Sequence, residues 1–182
     1  MKNLRYLNTL PHSLSNESIF PDQNTGYKVP SLNKFANMVL YLIREADFKV
    51  RLNKYLFYSD FLNYKTTGYS ISGYDYQAIQ LGPVPDQYGT KFDILKQMKY
   101  IDEESVLYRD NYFEKFIPLK GFDKSLFTEQ EIASLDMVIK KMTNKSQKEI
   151  VDMSHQELGW IENQKLHSII SYQKYAFLLK NI

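Results

Sequence analysis

The chain has 182 residues, no cysteine, and a net charge of +2 from 23 basic and 21 acidic residues. That length suits one domain with a core of its own. The missing cysteine excludes disulfides, zinc fingers, iron–sulfur clusters and thiol nucleophiles, and the balanced charge makes no electrostatic case for nucleic acid.

Residues 1–30 differ from the rest. "NTLPHSLSNESIFPDQNTGYKVP" is rich in Asn, Ser, Thr and Pro, its apolar residues follow no period, and it reads as an arm or linker. The opening "MKNLRYLNTLPHSLSN" has neither the apolar run nor the small-residue cleavage site of a signal peptide. No stretch approaches the roughly 18 consecutive apolar residues of a membrane span. A cytoplasmic protein without membrane attachment is expected.

Residues 31–182 form the domain. Leu32, Phe35, Ala36, Val39, Leu40 and Ile43 recur at helical spacing behind Ser31, a capping residue. In "VRLNKYLFYSDFLNYKTTG" the apolar positions spread wider than one stripe, which predicts a helix buried on most sides and ended by Gly68, with Lys54 and Asp60 as polar exceptions. Tyr76–Leu81 predicts a short strand. Gly82-Pro83-Val84-Pro85 then reads as a rigid corner handing that strand to a helix marked by Tyr88, Phe92, Leu95 and Met98. Glu103-Glu104 reads as part of a solvated turn. "SVLYRDNYFEKFIPL" predicts a hairpin turning at Asp110-Asn111, in a sheet that the 76–81 strand is placed to join.

The last third returns to helix. Thr128 and Glu131 form a capping box, with Phe127 and Ile132 at the two positions of a hydrophobic staple. "SQKE" at 146–149 repeats the box, and Ser154-x-x-Glu157 reads as a third one that would place His155 at the first position of a helix. The fold class is mainly α (α+β): a helical domain with a small antiparallel β-sheet or hairpin inserted.

Fifteen Tyr and 11 Phe stand against one Trp. Tyrosine suits both cores with a wet edge and protein interfaces, while AT-rich codon usage produces the same surplus, so composition alone leaves a binding surface open.

"QLGPVPDQYG" has neither the glycine spacing nor the order of a nucleotide loop, and its prolines remove backbone donors that a phosphate would need. His12, His155 and His167 are too far apart in sequence for a metal motif, and no cofactor is expected. There is no G-x-S-x-G elbow, but Ser154, His155 and Asp152 permit a small-hydrolase reading. Lys140, Lys141, Lys145 and Lys148 read as a solvated face, and Trp160 as an anchor in the core or at an interface.

Two segments in the right order resemble one family. "LNKYLFYSDFLNYKTTG…AIQLGPVP" is similar to the opening of the Panacea domain of SocA-like antitoxins and phage-associated relatives, and "SQKEIVDMSHQELGWIE" is similar to its closing segment. The resemblance covers about residues 32–163. It places Lys54, Leu56 and Tyr58 on the family's aromatic helix, Gly82, Pro83, Val84 and Pro85 on its G-P-V-x-P motif, and Ser154, His155 and Trp160 on its closing motif. Gln80-Leu81 stands where an aromatic is usual, Phe57 where Tyr is common, and Gly159 where Pro precedes the Trp.

The resemblance implies a non-enzymatic antitoxin in a toxin–antitoxin system, binding a cognate protein toxin encoded beside it through a Tyr/Phe-rich surface, alone or as a homo-oligomer. DNA binding is not expected of this chain alone, because the residues before the match are too few for the family's upstream DNA-binding segment. The alternatives are the Ser154/His155 hydrolase and a DNA-associated protein of phages or mobile elements. Burial of His155 discriminates: a catalytic histidine faces a cleft, whereas a scaffold histidine is packed near Trp160.

Overall fold

The structure, a computed structural model, describes residues 20–108 and 110–182. The arm or linker expected over residues 1–30, and the signal-peptide argument with it, lie outside the described residues up to residue 19. Among the described residues, seven α-helices and two separate two-stranded antiparallel sheets make a mainly helical, α+β architecture.

Helix α1 (Leu32–Leu42) starts where Ser31 Oγ accepts the Lys34 N–H, and buries Phe35, Ala36, Met38, Val39, Leu40 and Leu42. Helix α2 (Lys49–Thr67) is the central element. All residues from Leu52 to Phe61 are buried, and Gly68 closes the helix in a left-handed conformation. Its polar exceptions Lys54 and Asp60 are hydrogen-bonded internally, whereas Asn53 Oδ1 and Ser59 Oγ are buried without a partner. The Asp60 carboxylate accepts from the backbone N–H groups of Ile71 and Ser72 and from the hydroxyls of Ser72 and Tyr76, at 2.6–2.8 Å. Those four bonds fold the 68–76 loop back onto α2, because a carboxylate with no exposed surface must find donors inside the protein.

Strand β1 (Tyr76–Ile79) pairs with β2 (Gly82–Pro85) through a two-residue turn at Gln80-Leu81. The G-P-V-P segment is therefore a strand, not the corner expected from its prolines. In this register Ile79–Gly82 and Gln77–Val84 are the hydrogen-bonded pairs, while Pro83 and Pro85 fall opposite Ala78 and Tyr76 at non-bonded positions. Two prolines spaced by two thus cost the ladder no bond. On its other edge β1 binds residues 168–170, with Ala78 N–H donating to Ser168 and Ile170 N–H to Tyr76.

Helix α3 (Tyr88–Gln97) follows as expected. Strands β3 (Ile101–Tyr108) and β4 (Asn111–Pro118) form the second hairpin, with Tyr108 paired to Asn111. Asn111 is the first residue of β4, so it belongs to the strand and not to the turn, and Asp110 takes the positive φ of 63°. Glu103 and Glu104 lie within β3 rather than in a turn; Glu103 pairs with Lys96 at 2.8 Å. β1 does not join this sheet. The outer edge of β4 meets Asp47–Phe48 instead, where Phe116 N–H donates to Asp47.

Helix α4 (Glu129–Met142) and helix α5 (Gln147–Ser154) both begin with complete capping boxes, from Thr128/Glu131 and Ser146/Glu149. Phe127 and Ile132 both pack against the core at the start of α4. Glu131 also receives Lys28 at 2.9 Å and Lys34 at 2.7 Å, tying α1 and the segment before it to α4. Helix α6 (Leu158–Asn163) and the one-turn α7 (Tyr172–Tyr175) complete the order.

Among the described residues, 12 of the Tyr and Phe side chains are buried in the core. Phe61 stacks on Tyr172 at 4.2 Å and packs on Phe57 at 4.3 Å, and Tyr55, Tyr58, Tyr64, Tyr74, Tyr76 and Tyr175 are buried. Phe20, Tyr27, Tyr69, Tyr112 and Phe177 are the large exposed aromatics among the described residues.

Candidate functional site

The three motif segments converge where α2, the β1–β2 hairpin, α5 and α6 meet. From α2, Lys54 reaches the hairpin fully buried, and its Nζ donates to the Pro83 carbonyl at 2.9 Å. The register explains the contact. Pro83 is at a non-bonded position, so its carbonyl faces away from β1 and needs a donor from elsewhere. Lys54 supplies it. Burial alone brings the Lys54 amine down to about 7, because no carboxylate stands beside it to offset the lost hydration of the ammonium.

Gly82 is required at this contact. A Cβ there would lie 2.4 Å from Ser154 Oγ and 2.7 Å from Lys54 Cε, and φ of 99° is outside the range that other residues adopt easily. Lys54 and Ser154 therefore close on the hairpin from two helices across a glycine. Leu56 and Val84 are buried as packing on either side.

The closing motif is arranged differently from its sequence reading. Ser154 is the last residue of α5, and His155 is its C-cap. Ser154 Oγ donates to the Val151 carbonyl at 2.8 Å, so it caps nothing, and Glu157 is the N-cap of α6. The third capping box does not form, because the chain turns between the two helices at this point. The His155 ring stacks on Trp160 with 3.8 Å between centroids and 10° between planes. The Gln80 backbone hydrogen-bonds the ring, while Nε2 is buried without a partner. Burial first, and then the nearby Lys54 charge, push the His155 pKa down, against the opposing pull of Asp152 and the Gln80 contact. Trp160 Nε1 donates to the Ile79 carbonyl at 2.8 Å. Gly159, where a proline was expected before the Trp, faces Ile170 and Tyr175 so closely that a Cβ would come within 2.8 Å of Ile170.

As a hydrolase the constellation is disconnected. Asp152 is exposed and bonded to Lys148 at 2.6 Å, and Ser154 has no exposed surface. His155 takes the packed position against Trp160 that a scaffold histidine takes. Among the described residues no cluster of three His, Asp or Glu is arranged to hold a metal ion, and no helix is long and apolar enough to cross a membrane.

One member of the site was missed by reading the sequence. Glu157 is buried, and its carboxylate accepts from Tyr58 Oη at 3.0 Å, from the backbone N–H groups of Lys180 and Asn181, and from Asn181 Nδ2. It joins α2, the α5–α6 junction and the C-terminal segment. Burial and the Glu157 charge together hold the Tyr58 phenol far above its ordinary range. The motif gave Tyr58 its place but not its partner.

No curated protein and no solved structure matches the chain. A family model described as "Antitoxin SocA-like, Panacea domain" matches residues 52–161, more than half of the chain and the stretch that runs from α2 through the hairpins to α6. The match starts later than the 32–163 expected from the motifs, so α1 stands outside it. With its motif residues gathered at a single joint, the chain belongs to the SocA-like antitoxin, Panacea domain family.

Proposed function

We propose that this chain is a non-enzymatic antitoxin that neutralises a cognate protein toxin by binding it directly. Family membership supports the antitoxin role in general. The observation that carries the binding mechanism is the fate of the Ser154 hydroxyl, which has no exposed surface and donates to its own helix at Val151. Lys54 and Trp160 are likewise turned inward, onto the Pro83 and Ile79 carbonyls. Polar groups consumed in this way hold a scaffold together, and recognition falls to the surface that the scaffold presents.

In this reading residues 31–182 act as one unit in the cytoplasm, the partner is a small toxin encoded beside the chain, and DNA is not needed for neutralisation. Co-expression with that neighbouring gene is the test. Restored growth together with a complex that survives gel filtration supports direct binding. Toxicity that persists beside well-folded chain contradicts it.

A further inference from the structure

Three side chains hold the β1–β2 hairpin against the helices: Lys54 on the Pro83 carbonyl, His155 on the Gln80 backbone and Trp160 on the Ile79 carbonyl. Two of the three are bases, Lys54 buried and His155 half-buried, and among the described residues neither has a carboxylate hydrogen-bonded to it. The Lys54 amine has the Pro83 carbonyl as its acceptor, and His155 Nε2 is buried with none. We infer that Lys54 and His155 together form a proton-sensitive clasp, which releases the β1–β2 hairpin from α5 and α6 when the joint is protonated.

The surroundings support this. On α2, Tyr58 faces Glu157, whose carboxylate is already taken up by Tyr58, Lys180 and Asn181. On α5, Asp152 pulls on His155 but is exposed and paired with Lys148. On the hairpin, the titratable side chain is Tyr76, which donates to Asp60. Among the described residues no carboxylate thus stands ready to neutralise an ammonium at Lys54. A proton added there leaves a buried charge with too few acceptors, next to an imidazole that it repels. Opening the hairpin hydrates both groups, and the Gln80-Leu81 turn, with Leu81 already exposed, is the end free to move.

The sign follows from the lysine. Hydrated Lys54 in an opened hairpin regains its ordinary affinity for a proton, whereas clasped Lys54 holds one only near pH 7 and below. Opening therefore takes up a proton between those limits, and acid favours it. The clasp is independent of any toxin, so its test stands apart from the antitoxin reading.

The experiment is amide hydrogen exchange of the full chain between pH 9 and pH 6, corrected for intrinsic chemical exchange. Opening of residues 76–85 is expected to rise about tenfold for each pH unit lowered between about 9 and 7. Amides of α4 should open less often throughout. Lys54→Met should flatten that dependence, and His155→Gln should remove the rise that continues below about pH 6.5, where the Lys54 contribution levels off. Hairpin opening without pH dependence, or a dependence that survives Lys54→Met, would overturn the inference. So would hairpin amides that open no more often than those of α4, since that is global unfolding.

Discussion

Tyr58 and Glu157 meet in the interior at 3.0 Å, although 99 residues separate them in the chain. The phenol belongs to the middle of the central helix. The carboxylate begins α6 and also takes the backbone N–H groups of residues 180 and 181. One buried acid thereby fixes the start of the matched domain, its end, and the segment beyond it.

Tyr58→Phe removes one bond to a buried charge and leaves the other donors in place. It should lower unfolding free energy by about 1.5–3 kcal/mol in urea titrations. Glu157→Ala leaves the Tyr58 hydroxyl and two backbone N–H groups without their acceptor and should cost at least about 3 kcal/mol. Similar small losses for both substitutions would show that Glu157 is not the hub of this junction.

Gly82→Ala places a methyl between Ser154 and Lys54 and forces a residue with a side chain into positive φ. Strain and overpacking together should destabilise the fold by at least about 2 kcal/mol. Gly89→Ala is the matched control, because it lies in α3 with no atom near the added carbon, and should stabilise by about 0.5–1 kcal/mol. Equal thermal midpoints for the two variants would refute the close approach at Gly82.

Global stability should also report the buried lysine. Folded Lys54 titrates at about 7, below the 10.5 of a free lysine, so the unfolded chain holds the extra proton in between. The stability present above the unfolded value is lost as pH falls towards 7. The difference in unfolding free energy between the native chain and Lys54→Met should therefore change by about 1.4 kcal/mol per pH unit in that window, with the native chain gaining as pH rises. A difference independent of pH would mean that Lys54 keeps its proton in the folded state.

Local chemistry was legible in the sequence wherever the partners were near. The capping boxes at Thr128/Glu131 and Ser146/Glu149, the cap at Ser31 and the stop at Gly68 each depend on residues within one turn. The Ser154/Glu157 pair has the same spacing but sits across a break between helices, so its acid turned to Tyr58 and Asn181 instead. Nothing within four residues of Glu157 signals that choice. Gly82-Pro83-Val84-Pro85 misled in another way. Proline argues against a strand in general, but two prolines at a spacing of two occupy one edge, and there a missing N–H costs nothing. Even so, the sequence carries no sign that a lysine 29 residues away would serve the Pro83 carbonyl.

The central claim is that this antitoxin-family domain works by binding and not by catalysis. The most direct measurement is growth rescue by Ser154→Ala and by His155→Gln, each co-expressed with the toxin proposed to be encoded beside the chain and each verified as folded by circular dichroism and thermal melting. Both variants should neutralise the toxin as well as the native chain and co-purify with it. A folded Ser154→Ala protein that still binds the toxin yet no longer rescues growth would contradict the account and return the hydrolase reading.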